Sequence, residues 1–245
     1  MKYLLTNGNR ELAKDGVFTW SLPALSARLS SGQRVTTCPN AGACARLCYA
    51  RSGTYNFSNV KAAHVRNLEM TLDDLDGWRE QMLAELQGKR YRPGKWVRIH
   101  DSGDFYSEPY FLAWKSIAEA TPDVNFYAYT KEVVMVKRHE LPKNFTVIFS
   151  MGGKQDRRID KDRDRHAEVF PTMEDLVEAG YTDQEDSDIL AATLPTTRIG
   201  IVVNNIKHLV KRQGRSTFGE LQQDRYERAA ALGAKFVEIR VKGNE

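Results

Sequence analysis

Cys38, Cys44 and Cys48 are the only cysteines in a chain of 245 residues, and their spacing is C-x5-C-x3-C. Pro39 and Gly42 within that run permit the tight turns that bring thiolates to one point. Thiolate sulfur is a soft ligand suited to iron-sulfur clusters, zinc and copper(I), and Arg46 beside it would favour deprotonated sulfurs. An odd number of cysteines in so short a window argues against a disulfide framework. The competing reading is three small apolar side chains packed in a core. The expected site is a set of three thiolate ligands to a [4Fe-4S] cluster, with one iron open to a substrate oxygen, a water or a cofactor. A structural zinc would need a fourth ligand, and His64 is the nearest residue of the right type. His64 also shares a helical face with Val60 and Leu68, which makes packing its simpler role.

A second group of reactive side chains follows short apolar runs. His100, Asp101 and Asp104 are candidate general acids and bases, and Lys131 a candidate for holding an anion. Gly152 and Gly153 would let backbone amides approach a cofactor closely. Ser150 and the pair Asn204-Asn205 end two further runs. Polar loops are ordinary, and Asp101-Ser102-Gly103-Asp104 is also a good turn, so it is their joint placement that points to a site.

The elements that must position these residues alternate between short apolar runs and amphipathic segments, the pattern of a βα-repeat fold. Strands are expected at 17–22, 96–100, 125–129, 145–150, 198–203 and 236–241. Helices are expected at 59–70 and 74–86, where Leu75, Trp78, Met82 and Leu86 mark a buried stripe. Another should start at a Ser107 cap, bury Tyr110, Trp114, Ile117 and Ala118, and end before Pro122. A last helix is expected from about 217 to 232, closed by Gly233. The charged segment 154–166 and the acid-rich segment 173–188 should cover the surface. The fold class is therefore α/β, a complete or partial TIM-barrel-like βα-repeat barrel. Its cysteine-bearing loop, residues 36–52, follows the first strand, in a single domain spanning 1–245. In such a barrel the site lies at the carboxyl ends of the strands, where the second group of residues falls.

Composition narrows the partners. With 36 basic and 32 acidic residues and a formal charge of +4, the surface is mixed, so nucleic acid is a secondary expectation beside a small-molecule substrate. Trp20, Phe111, Trp114, Phe126 and Tyr127 fit a core better than a base-stacking platform. The amino terminus turns polar too early for a signal peptide and no apolar stretch is long enough to cross a bilayer, so the expected location is cytoplasmic.

Three stretches together resemble the phage gene product 88 family: Cys38-Pro39 through Cys48-Tyr49-Ala50-Arg51, Arg98-Ile99-His100-Asp101-Ser102-Gly103-Asp104-Phe105, and Phe126-Tyr127-Ala128-Tyr129-Thr130-Lys131. The resemblance runs from about residue 18 to residue 151. It implies a cluster-binding, barrel-like fold similar in outline to radical S-adenosylmethionine enzymes, in the host cytoplasm. Two departures stand out: the spacing is not the C-x3-C-x2-C of radical enzymes, and no cysteine follows Cys48. The leading expectation is thus an enzyme that uses an open cluster iron as a Lewis acid to hydrolyse or hydrate a small molecule. The alternatives are a radical enzyme in which Gly152 and Gly153 contact S-adenosylmethionine, and a zinc- or cluster-stabilised nucleic-acid-binding module.

Overall fold

Strand residues that alternate on a two-residue period present two faces, and the main sheet of this protein buries both. A computed structural model describes residues 3–91, 94–203 and 205–234. The chain begins with β1 (Thr6–Asn7), α1 (Arg10–Lys14), β2 (Val17–Trp20) and the hairpin β3 (Ser26–Arg28) and β4 (Arg34–Thr36). After the cysteine loop come α2 (Ser58–Asp73), α3 (Leu75–Leu86), β5 (Trp96–Ile99), α4 (Glu108–Ala120), β6 (Asn125–Thr130), α5 (Val133–Val136) and β7 (Phe145–Ser150). The last part contains β8 (His166–Phe170), α6 (Met173–Glu178), β9 (Thr182–Asp183), α7 (Leu190–Thr193), β10 (Arg198–Val202), α8 (Lys207–Gln213) and α9 (Phe218–Ala231).

The main sheet has the order β1-β2-β5-β6-β7-β8-β10-β9. All its pairings are parallel except that of β1 with β2. From β2 to β10 neighbours in the sheet follow chain order, so each parallel strand is laid beside the one before it by a crossover connection. The strands expected at 17–22, 96–100, 125–129, 145–150 and 198–203 are β2, β5, β6, β7 and β10, and the helices expected at 59–70, 74–86 and 217–232 are α2, α3 and α9. The run at 236–241 lies outside the described residues. A closed TIM barrel is not found among the described residues: β1 and β9 are the two edges, each only two residues long, and they do not pair with one another.

One face of the sheet, with Phe18, Trp20, Val97, Ile99, Phe126, Ala128, Phe145 and Phe149, packs against Leu68, Trp78, Met82, Leu86, Tyr110, Phe111 and Trp114 of the helices. The α4 helix forms where expected: Ser107 Oγ accepts from Tyr110 N–H, Pro109 occupies the first turn, and the helix stops before Pro122. Its Trp114 meets Trp78 edge to face at 5.1 Å, and Trp78 in turn lies 5.5 Å from Trp20. Such aromatic pairs add about 0.5–1.5 kcal/mol each beyond their burial. The opposite face, with Val17, Tyr127, Ile148, Ala167 and Ile199, is covered at one end by Leu12 of α1 and by Ala191 and Ala192 of α7. It stays open at the carboxyl ends of the strands.

Among the described residues, no helix is long and apolar enough to cross a membrane. The segment at 154–166 is a loop with one 3-10 turn that exposes Arg157, Arg158 and residues 160–163, but Gln155 is buried, and so is its last residue, His166, which opens β8, a strand that the charge run conceals. Within 173–188, α6 sends Leu176 into the core against Gly200 of β10. A Cβ at Gly200 would sit 2.3 Å from Leu176 Cγ. Gly200→Ala should therefore cost about 1–3 kcal/mol by overpacking, and Leu176→Ala about 2–5 kcal/mol by leaving a cavity. In urea unfolding the double variant should lose less than the sum of the two, because the new methyl enters the space that Leu176 vacates.

Candidate functional site

The carboxyl ends of β5, β6, β7, β8 and β10 and the cysteine loop enclose one cavity of about 410 Å³. Every strand-end residue named from the sequence as a candidate acid, base or anion holder lines it: His100, Asp101, Asp104 and Lys131. Gly152 and Gly153 lie behind its wall, and Asn204 lies outside the described residues.

His100 is only 3% exposed and reaches the site from the end of β5. Its Nε2 is 2.8 Å from Tyr110 Oη, and Trp20 Nε1 donates to the same hydroxyl at 2.9 Å. Indole can only donate, so the Tyr110 proton is directed to Nε2 and the imidazole proton sits on Nδ1, an assignment inferred from the network. That Nδ1 has no hydrogen-bond partner among the described residues. Burial in this aromatic setting lowers the His100 pKa to about 3. The helix layer thus holds a neutral histidine against the cavity.

Asp101 belongs to a network built around Arg98. The Arg98 guanidinium is 3.4 Å from Asp101 and 3.1 Å from Asp188, and lies 5.2 Å from the centre of the Tyr129 ring. Tyr55 donates to the Asp101 carboxylate, Tyr49 donates to the Asp101 carbonyl at 2.6 Å, and Tyr127 donates to Asp188. Tyr129 donates to Gln184 Oε1 at 2.7 Å. Burial and the neighbouring carboxylates push all four phenols up, so they remain donors. Arg98 and Tyr49 fall in the stretches that carry the family resemblance but were given no role from the sequence, and Tyr55, Gln184 and Asp188 were not singled out at all. Asp188 in particular lies in a segment whose acidity reads as a solvated surface, and no local pattern shows that it turns inward.

Asp104 ties two strand ends together. It accepts from Thr130 Oγ1 at 2.5 Å, from Lys131 N–H at 3.0 Å and from Phe105 N–H at 2.8 Å. Burial nevertheless raises its pKa. Lys131 Nζ donates to Ser150 Oγ at 2.7 Å. Burial works against its charge, but the Cys44 sulfur once it ionises and the nearby Asp104 and Asp156 carboxylates outweigh that and raise the lysine pKa. The ammonium persists inside the protein because its counter-charges do.

The cysteine loop is held from outside itself. The Gly152 carbonyl accepts from the N–H groups of Gly42 and Cys44, both at 3.1 Å, and Ala41 and Gly153 form an isolated antiparallel bridge. Glu132 accepts from Asn40 N–H at 3.1 Å and Nδ2 at 2.7 Å, and its pKa is pushed up to about 8 chiefly by burial. Gln222 of α9 accepts from Ala43 N–H at 2.7 Å. Gly42 is required there, since a Cβ would lie 2.1 Å from Gln222 Oε1. The amides of Gly152 and Gly153, expected to meet a cofactor, both donate to Asp156 at 2.8 Å.

This arrangement overturns the cluster. Among the described residues no group of three or more His, Cys, Asp or Glu side chains could hold a metal ion. Cys38, Cys44 and Cys48 are free and spread along one cavity wall instead of meeting at one point. The hairpin of β3 and β4 turns Cys38 towards Leu25, whose N–H is 3.3 Å from its sulfur. Burial raises all three thiols, which keeps them protonated, and Arg46 is exposed. His64 does not line the cavity and packs beside Tyr55. The expected [4Fe-4S] cluster, its iron-dependent hydrolase or hydratase, the radical S-adenosylmethionine enzyme with its cofactor, and the zinc- or cluster-stabilised module all lose their ligand set with it.

Comparison with known proteins gives the lineage. A family model described as Gene product 88 matches residues 3–232, and the chain belongs to that family. It is similar to the Gene 88 protein of Mycobacterium phage L5, 36% identical over 115 residues, and to the Gene 88 protein of Mycobacterium phage D29, 35% identical over 116 residues. Each match covers 44% of this chain and 48% of the relative, so it spans about half the length of those proteins. No solved structure matches. Nothing in these matches carries the cluster or radical-enzyme character that the resemblance implies.

Two measurements check the site. In proton NMR the His100 ring should not titrate between about pH 8 and pH 5, since its pKa is lowered to about 3; a midpoint inside that window would contradict the buried pairing with Tyr110. In the folded protein iodoacetamide should alkylate the three thiols about tenfold more slowly or worse than in the urea-unfolded chain, because raised thiol pKa values deplete the reacting thiolate. Gln222→Ala should speed the reaction of Cys44 by loosening the loop.

Proposed function

We propose that this protein binds a small polar molecule in the cavity at the carboxyl ends of its parallel strands, with the cysteine loop as one wall. The observation that carries the reading is the convergence of five strand ends and that loop on a single space of about 410 Å³, within the usual range for small-molecule sites. On this reading residues 1–245 act as one unit, a partial barrel in which the loop after β2 covers the strand ends.

The wall chemistry supports a ligand rich in hydrogen-bonding atoms and carrying little net charge. Arg98 is matched by Asp101 and Asp188, and Lys131 by Asp104, so the charged groups are engaged with one another. His100 Nδ1, Ser102 Oγ and Arg98 Nε belong to cavity-lining residues, and each is buried without a hydrogen-bond partner among the described residues. His100 Nδ1 and Arg98 Nε can only donate and Ser102 Oγ can donate or accept, and carbonyl or hydroxyl oxygens of a ligand supply the acceptors they need. Lys131 and Ser150 provide a third polar point, and the neutral thiols with Leu25 and Leu47 provide an apolar one. Asp101 and Asp104 serve here as the groups that hold tyrosines, Thr130 and Lys131 in position.

The test is a thermal-shift screen of nucleosides, amino acids and sugars, scored together with thiol protection. A ligand present at about a hundred times its Kd should stabilise the fold by about 2.7 kcal/mol. It should also slow alkylation of Cys38, Cys44 and Cys48, and Ser102→Ala or Lys131→Met should each weaken it by about tenfold. A compound that stabilises the protein while leaving both thiol reactivity and these variants unaffected binds elsewhere and overturns the assignment.

A further inference from the structure

No Asp or Glu occurs from Gly16 to Leu68, and none from Ile189 to Gly219. The fold brings these two acid-free stretches together at the mouth of the cavity. Arg212 on α8 donates to the Arg46 carbonyl at 2.7 Å, and Ser52 Oγ lies 3.4 Å from His208 Nε2. The inward residues of both segments, Leu47, Cys48 and Ala50 on one side and Leu209 on the other, line the cavity. Their outward residues are cationic: Arg46, Arg51, Lys207, Lys211, Arg212 and Arg215 are all exposed. None of the six makes an ion pair among the described residues, whereas Arg79, Lys115, Arg163 and Arg228 elsewhere do. On α8 the pairs Lys207 with Lys211 and His208 with Arg212 stand four residues apart, so the cations form rows on its outer face.

We propose that this rim is a binding surface for the phosphate backbone of a single-stranded nucleic acid, one unit of which enters the cavity. The rim itself is independent of the cavity's occupant, and only the entering unit rests on the proposed ligand site. Six unpaired cations around one opening attract a polyanion, and each phosphate they neutralise releases counterions. The opening selects the kind of polyanion. Phe57, 58% exposed, and the cavity tyrosines Tyr49 and Tyr55 lie on the cationic segment itself, so a planar base has faces to stack on beside the backbone phosphates. A base is also polar, nearly uncharged and rich in carbonyl and ring-nitrogen acceptors, which suits the unpartnered donors of His100 and Arg98. A lipid surface is a poorer match, because α8 has seven residues and the face is indented by a polar cavity where an inserting wedge would have to be.

The experiment is fluorescence anisotropy of the whole chain with a labelled oligothymidylate about 20 nucleotides long, at potassium chloride from about 50 to 200 mM. Binding is expected to weaken linearly in log–log form. The pair Arg46→Glu with Lys211→Glu should reduce affinity at least tenfold and flatten the salt slope by about 0.7 for each phosphate that is no longer neutralised. The pair Lys143→Glu with Arg163→Glu changes net charge equally, but at exposed positions just before β7 and β8, the opposite ends of the strands, and should leave binding nearly unchanged. Equal loss in both pairs would mean attraction to net charge alone and would overturn the surface. No binding at 50 mM salt, or binding to phosphatidylserine vesicles without binding to the oligonucleotide, would overturn it too. Oligonucleotide binding that leaves thiol alkylation unaffected would keep the rim and remove the entering unit, which separates this inference from the cavity reading.

Discussion

An irregular loop laid over the end of a sheet must find partners for its own backbone, because an unpaired buried N–H costs about 1–3 kcal/mol. The cysteine loop meets this demand with groups borrowed from the rest of the chain. The Gly152 carbonyl at the end of β7 takes two of its N–H groups, Glu132 after β6 takes a third, and Gln222 of α9 a fourth. Lys154 Nζ donates to the Pro39 carbonyl at 2.8 Å from the other side. These attachments explain why α9 packs where it does. They also explain Glu168, a carboxyl that accepts from Gly219 N–H at the start of that helix and whose pKa burial raises to about 7. A helix that supplies a partner at Gln222 has to be anchored at its first turn, and Glu168 does this from β8.

The charges follow from the same closure. Once the loop covers the strand ends, any ion there leaves bulk water and must carry its own counter-ion. Arg98 sits between Asp101 and Asp188, and Lys131 beside Asp104, so the interior holds cations and carboxylates in matched company. His100 takes the other route and gives up its charge, with only Tyr110 and aromatic rings around its Nε2 side. Arg46, Arg51 and the cations of α8 stay outside, exposed and without an ion pair among the described residues.

What the sequence shows well is whatever depends on local periodicity. The runs that become β5, β6, β7 and β10 and the helices α2, α3, α4 and α9 are visible because one face of each is apolar at the right spacing and a cap or glycine marks its end. The residues at the strand ends were legible as a group for the same reason. The β8 strand was not, because its inward Glu168 and the charged segment before it give the look of a surface. Asp188 and Gln184 were not, because their roles depend on a loop folding back over the sheet. The cysteines show the limit most clearly. Spacing fixes how far apart three thiols are along the chain, but Cys38 leaves a β-hairpin, Cys44 lies on a 3-10 turn and Cys48 is an extended residue just before the next one, and that backbone path spreads the sulfurs along a wall.

The bond from Gln222 to Ala43 spans 179 residues. At about 5–20 residues per second of synthesis, a ribosome needs roughly 10–40 s to make the chain between them. During that interval the amino-terminal segment has left the exit tunnel with its thiols open to solvent and its backbone unclamped. The nascent protein therefore passes through a stage in which three cysteines are accessible to oxidants or chaperones, and it ends only when α9 emerges and docks. Truncation by a premature stop before α9 would leave that stage permanent, giving a product with most of the sheet but with its most reactive segment unsealed.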